Sequence, residues 1–417
     1  MSAFLLALAV VLPSAAGVEV AVEEAGDEKE ATSLPLMTPP VTFSGSGEAG
    51  AGSLGLRVGY YENGDSADGN PFLDEESSVI ETIFIADYNV TDRMAAWGLF
   101  SFDIVSSASI GRLDDYPQQS GASGDYYFGL DTGVRYEISA DRRVGGFVSG
   151  SFERDYYSFG IGGNFSSDLL SGNTTIDLSA NYYYDTIDVI RFDGSEDEGN
   201  DDRHTLTTTL KWHQILDPRT FGEIGVTNSY QTGFLETAFN GVVIEEAGTE
   251  PPFPFENDAE GFEVREAFPG HRNRGAVFGR IRRLLWENTA VQLSGRYSFD
   301  SWEATGYSVE PALYQTLVPD VLHLRLRYRY YDQSASQYYD LELEAVDPIP
   351  RYRTQDSDLG SFDAHTIGVK FDWTHSDNWR FDIGADYTIR SDGLDYIFGS
   401  VGVRRTFEAP RSWLLDE

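Results

Sequence analysis

Apolar and polar residues alternate with a period of two over run after run of this chain. A helix, with a period of 3.6, would mix the two sets. Ile176, Leu178, Ala180, Tyr182 and Tyr184 alternate with Asp177, Ser179, Asn181, Tyr183 and Asp185. Leu324, Leu326, Tyr328 and Tyr330 alternate with His323, Arg325, Arg327 and Arg329. Phe381, Ile383, Ala385, Tyr387 and Ile389 alternate with Asp382, Gly384, Asp386, Thr388 and Arg390. Such runs fall near 52–62, 78–88, 92–105, 125–138, 143–153, 156–168, 173–187, 203–215, 220–232, 274–286, 289–300, 305–317, 321–332, 364–375, 379–390 and 395–407.

The connections sort by length. Those at 89–92, 139–142, 169–172, 216–219, 287–288, 318–320 and 376–378 are short, and all follow even-numbered runs. Those at 63–77, 106–124, 188–202, 233–273 and 333–363 are long, and all follow odd-numbered runs. Bacterial membrane barrels join their strands by short periplasmic turns and longer extracellular loops. The pattern predicts an all-β chain: a transmembrane antiparallel up-and-down β-barrel of about sixteen strands, with both ends in the periplasm and long acidic loops outside. A soluble sandwich has no reason to sort its loops in this way.

Composition fits that architecture. A chain of 417 residues suggests two domains, but a barrel closes one large sheet and needs no second core. Aromatic residues make up 14%, with Tyr 24 and Phe 26; they favour strands, and Tyr and Trp favour membrane interfaces. Mean hydropathy is -0.33, which a barrel tolerates because only every second residue meets lipid. The absence of cysteine excludes disulfides, thiol catalysis, cysteine-ligated metals and a lipoprotein anchor. The net charge of -38, from 68 acids against 30 bases, argues against a nucleic-acid partner. It fits acidic external loops, or a saline habitat in which acidic surfaces keep proteins soluble.

The ends read as processing and tether segments. Phe4 to Leu12 is apolar but too short to span a membrane, and Ser14, Ala15 and Ala16 supply small residues for cleavage. Residues 1–17 therefore read as a signal peptide, although no Lys or Arg precedes the apolar run. Residues 18–50, acidic and then rich in Pro and Gly, read as a flexible periplasmic leader. The barrel is expected over 51–407 and a periplasmic tail over 408–417. Val401, Val403 and Phe407 alternate at the end of the last run, which resembles the closing strand recognised by the barrel-assembly machinery, although Glu408 to Glu417 follow it. The expected location is the outer membrane, reached by export across the inner membrane. The expected partners are outer-membrane lipid and lipopolysaccharide, the barrel-assembly machinery, and a periplasmic or surface protein.

Seven segments carry a resemblance: Ser151 to Ser158, Gln214 to Arg219, Tyr230 to Leu235, Glu266 to Arg272, Tyr297 to Trp302, Arg329 to Tyr339 and Asp356 to Phe362. They resemble a family of bacterial outer-membrane proteins known as domain of unknown function 3570. The resemblance runs from about 150 to 407; the N-terminal strands match less clearly, and the acidic loop 233–263 and the tail depart from it. It implies the barrel and its location, and assigns no chemistry.

Strand parity sends charge into the lumen. Arg280, Arg282, Arg296, Arg325, Arg327, Arg329 and Lys370 form an expected basic wall. Asp131, Glu137, Glu153, Asp177, Asp185 and Glu223, on strands well around the barrel, form an expected acidic wall. Opposed walls would set a transverse field that orders water and orients dipolar solutes. Inward ion pairs filling a narrow or plugged lumen are the plainer alternative. No cofactor is expected beyond weak Ca²⁺ at the acidic loops Asp65 to Asp74 and Glu196 to Asp202, whose plain reading is solvated loop. Residues 195–202 lack EF-hand spacing. His204 lies near Asp201 and Asp202, and His365 near Asp363, but no metalloprotease spacing occurs and catalysis is not expected. Gly160 to Gly163 lies in a strand and leads into no helix, unlike a phosphate loop. The expected function is a porin-like channel or transporter for small solutes. The alternative is a non-catalytic surface scaffold or sheath around a partner protein.

Overall fold

The computed structural model describes residues 48–65, 77–107, 126–191, 198–238, 240–245, 261–341, 343 and 348–408. The expected signal peptide, most of the leader, the tail beyond 408, the acidic stretch 66–74 and residues 196–197 lie outside them.

The period-two runs all become strands. In chain order they are β1 (Ala51–Asp65), β2 (Ser77–Thr91), β3 (Met94–Ser107), β4 (Tyr126–Ser139), β5 (Arg142–Phe152), β6 (Tyr156–Leu169), β7 (Thr174–Asp188), β8 (Asn200–Asp217) and β9 (Thr220–Gly233). A hairpin follows, β10 (Gly241–Glu245) and β11 (Gly261–Arg265). The wall resumes with β12 (His271–Trp286), β13 (Thr289–Asp300), β14 (Thr305–Val318), β15 (Leu322–Gln333), β16 (Phe362–Ser376), β17 (Trp379–Arg390) and β18 (Leu394–Glu408). Sixteen of these strands close into one antiparallel barrel, with β1 against β18 and β9 directly against β12.

Side-chain exposure follows the parity. Leu178, Leu206, Ile224, Leu293, Ile367 and Ile383 all stand on the outer surface, each between 45% and 67% exposed. Water would not leave so many large apolar groups bare, and the hydrocarbon of a bilayer accounts for them. Trp212, Trp286, Trp373 and Trp379 are exposed near the turn end, and Tyr184, Tyr230, Tyr297 and Tyr328 towards the loop end. These are the two aromatic girdles of a membrane barrel. The protein is a transmembrane β-barrel of the outer-membrane type.

The wall is taller than a membrane. Strands run from 11 residues in β5 to 18 in β8, whereas about 9–11 tilted residues cross the hydrocarbon. At the loop end β8 and β12 begin three residues earlier than the sequence pattern suggests, and at the turn end β2 continues three residues further.

The largest difference from expectation lies in the loops 233–273 and 333–363. The sequence marks both only as long connections, but they fold together. Gly233 ends β9 with φ +113, turning the chain out of the wall where an added Cβ would collide with the Asp202 carbonyl. Beyond it, β10 and β11 pair from Gly241↔Arg265 to Glu245↔Gly261. Leu235, Phe268, Trp302 and Leu359 form one buried apolar cluster, and Val242, Ile244 and Leu343 another. Gln355 extends the hairpin by side chain: its Oε1 accepts from Val243 N at 2.8 Å and its Nε2 donates to Val243 O at 3.2 Å.

Candidate functional site: the lumen and its extracellular cap

The lumen is built by parity. On β12, Val277 and Ile281 face lipid at 43% and 45% exposure, so Arg280 and Arg282 point inward. On β15, Leu326 and Tyr328 face out, so Arg325, Arg327 and Arg329 share the inner face. Register places Lys370 of β16 opposite Arg325, and the cation-bearing face continues onto β13 through Arg296. On the other arc, Asp131 and Glu137 alternate with exposed Leu130, Val134 and Ile138, and Asp177 and Asp185 with exposed Leu178 and Tyr184. Glu153 is buried just past the end of β5.

The two sets of charges are not fully separate. Glu223 on β9 and Arg280 on β12 stand opposite each other in register, with Oε2 and Nη2 3.0 Å apart. The expectation that the acidic residues lie well around the barrel from the arginines is corrected at this seam, because β9 and β12 are wall neighbours. Glu223 also meets His213 at 3.0 Å, and His213 meets Asp177 at 2.7 Å. Within the basic arc, Arg327 bridges Glu310 at 3.2 Å and Asp386 at 2.8 Å. Lys370 lies 3.4 Å from Asp382, which Arg57 also approaches at 3.5 Å. Within the acidic arc, Arg203 pairs with Asp185 at 3.0 Å, and Arg143 with Asp168 at 2.7 Å.

Bulky inward side chains lie along the wall. The Phe147 ring covers Gly162 on the next strand, and the Phe278 ring covers Gly225, so that a Cβ at either glycine would strike the ring. Arg282 lies 3.8 Å from the Tyr314 ring centre, and its Nε donates to Gln292 Oε1 at 3.0 Å. Gly160 and Gly162 thus belong to a close-packed strand, β6.

Above the basic arc, the folded loops turn inward. Gln333 Nε2 donates to the carbonyls of Asp358 and Gly360 at 2.7 and 2.8 Å. Arg390 binds the Asp358 carboxylate, and its Nη2 donates to Ser357 O at 3.3 Å. Both side chains have inward parity, so they hold the turn 357–360 over the mouth of the barrel. Glu266 is fully buried inside this cap; its Oε2 accepts from Thr237 N at 2.8 Å and its Oε1 from the Thr354 hydroxyl. Burial pushes its carboxyl up to about 8, and the neighbouring Asp356 carboxylate adds to the rise.

The expected Ca²⁺ loops are placed only in part. Glu198 is held by Arg191 at 2.6 Å and Arg265 at 3.3 Å, and the Arg191 hydrogen bonds keep its carboxyl below the ordinary value. Asp202 accepts from the Tyr184 hydroxyl at 2.7 Å. Among the described residues no group of three or more metal-ligating side chains occurs. His204 and His365 stand outside the wall, bound to Tyr182 and Tyr328 hydroxyls at 2.8 and 2.7 Å. Arg57, Arg135, Arg380 and Arg404 are inward cations that the expected wall omits; the same parity on β1, β4, β17 and β18 points to them.

Residues 115–402 match the model of a family described as protein of unknown function (DUF3570). The chain belongs to that family. The match contains every segment on which the sequence resemblance rests, and the DUF3570 region takes in the cap and all strands from β4 to β17. No curated protein matches the chain. Among solved structures, a mutant of the ferric enterobactin receptor PfeA from Pseudomonas aeruginosa is 11% identical, with 82% of this chain and 54% of that one covered and a TM-score of 0.43. This chain thus spans about half the length of that receptor. A bacterial polysaccharide outer membrane secretin is 11% identical over 86% of this chain and 98% of its own, with a TM-score of 0.46. The CymD monoaromatic hydrocarbon channel is 11% identical over 86% and 89%, with a TM-score of 0.38. Likeness at this level concerns barrel architecture alone.

Proposed function

We propose that the protein is a porin-like channel for small polar solutes, with a lumen whose opposed arcs of charge orient solutes that carry a dipole or an anionic end. The supporting observation is the excess of inward arginine on one arc. Inward arginines concentrate on β12 to β18, where Glu310, Asp382 and Asp386 neutralise part of their charge, and the inward carboxylates of β4 to β9 meet them at Glu223 and Arg280. A wall of sixteen strands leaves room for water. Charged linings set pore selectivity. In this reading the lumen holds no catalytic group and no cofactor, and the leader and tail both lie in the periplasm.

One observation favours the second reading, a surface scaffold or sheath. The loops between β9 and β12 and between β15 and β16 fold into a cap with apolar clusters of its own, a surface on which a partner protein could dock. Conductance in planar bilayers separates the two. A channel conducts as purified protein. A sheath conducts little until its insert is supplied, and that result would remove the channel reading.

A further inference from the structure

At the periplasmic mouth, two inward arginines face each other, and among the described residues neither binds a carboxylate. Arg380 is the second residue of β17, and register sets it opposite Arg404 of β18. Residues so opposed carry Cβ atoms about 5 Å apart. Arg404 Nη2 donates to Ser53 Oγ at 2.8 Å. The Nε and Nη1 of Arg380 are shielded from water and have no hydrogen-bond partner among the described residues.

This arrangement is costly as it stands. Like charges directly opposite on neighbouring strands are destabilising, and a shielded N–H without an acceptor loses its hydration for nothing. The barrel answers such costs elsewhere with carboxylates: Asp168 for Arg143, and Asp382 for Arg57 and Lys370. At Arg380 and Arg404 the described residues supply none.

We infer that Arg380 and Arg404 form an oxyanion site at the periplasmic mouth, which takes phosphate, sulfate or the phosphoryl end of a larger solute. Planar guanidinium forks from separate strands can each offer two donors to a tetrahedral anion, and its charge relieves their repulsion. The site deepens the channel reading, since it requires water to reach the lumen, but it is tested by binding and not by current.

The test is calorimetric titration of inorganic phosphate, and in parallel sulfate, into purified full-length protein in detergent at low salt. Saturable binding is expected, with phosphate raising the Tm. Arg380→Gln should weaken it at least about tenfold, as the loss of a charge-assisted hydrogen bond implies. Arg142→Gln, at the exposed start of β5 beside Asp141, should leave it unchanged. Should Arg380→Gln fail to assemble, Arg380→Lys keeps the charge, loses the fork, and should also bind about tenfold more weakly. Wild-type protein that shows no saturable binding of either anion, or a folded Arg380 variant with wild-type affinity, overturns the site. Phosphate binding in a protein that conducts no current would leave the site standing and remove the channel.

Discussion

Glu223 and Arg280 pair at 3.0 Å where β9 meets β12, the seam at which the chain leaves the wall to build the cap. Their side chains are 3% and 6% exposed, and His213 completes the cluster. Removing one member of a buried ion pair leaves the other charge uncompensated, at about 3 kcal/mol or more. Glu223→Gln or Arg280→Gln should each lower the thermal midpoint, read as loss of heat-modifiable migration. The double variant should lose less than the sum of the two. Additive losses would show that the pair contributes little beyond separate contacts.

Loop parity fixes the orientation. Because the chain has no cysteine, single cysteines report cleanly. Asp340→Cys and Arg351→Cys lie in exposed positions of the cap, and Asn288→Cys and Asp377→Cys in exposed short turns. An impermeant thiol reagent on whole cells should label the first two and spare the last two. Labelling of all four on intact cells would refute this orientation.

Wall and cap differ in how far the sequence reveals them. Parity along β7, β15 or β17 is legible because a strand sends alternate residues to opposite faces, so Asp177 and Arg327 are assigned inward from the pattern alone. The pairing of Arg380 with Arg404 needs the register of two strands. The cap needs more: Val243 completes its hydrogen bonds through the side chain of Gln355, far away in sequence. No local pattern in an acidic, Pro-rich loop announces such a contact. The bridge from Glu223 to Arg280 is hidden for a related reason. Sorting residues by charge separates two walls, and strand adjacency joins them again.

The cap should weaken with rising pH. Glu266, raised from 4.5 to about 8, holds its proton in the closed cap and would release it in an open one. The cap's stability is therefore fully present below about 4.5 and falls as pH climbs through about 8. Asp356 and Glu236 oppose its ionisation, and Thr354 and Thr237 hydrogen-bond the carboxylate. Glu266→Gln keeps the neutral form. Proteinase K digestion of wild type and variant, compared at the same pH, should match at pH 4.5 or below and show the variant increasingly more resistant as pH rises, several-fold at pH above 8. Equal cleavage at high pH would mean that Glu266 ionises without opening the cap.

Phe407 lies over Gly52 on the outer face of the β1–β18 seam, so close that a Cβ at Gly52 would meet the ring at 2.7 Å. Phe407→Ala should slow assembly in vivo, and deletion of 409–417 should leave insertion intact. Folded, heat-modifiable protein in the outer-membrane fraction is the readout. Insertion lost on tail deletion and kept by Phe407→Ala would move the assembly signal beyond the last strand.

Ion preference tests the lumen charges most directly. Arg325, Arg327 and Arg329 point the same way, but their surroundings divide the labour. Arg327 spans Glu310 and Asp386, so Arg327→Ser leaves two inward carboxylates without their cation. That variant should lose stability, by about 1–2 kcal/mol given the partial exposure of the pairs. The Arg325→Ser, Arg329→Ser double variant removes two inward charges and keeps Arg327 between Glu310 and Asp386. It should fold, and its reversal potential across a salt gradient should shift towards cations. Salt screens exposed charges beyond about 10 Å at 0.1 M, so the acidic loops outside should affect this reading less than the lumen does. A folded double variant with wild-type ion preference would mean that these arginines do not line the path, or that the lumen is plugged.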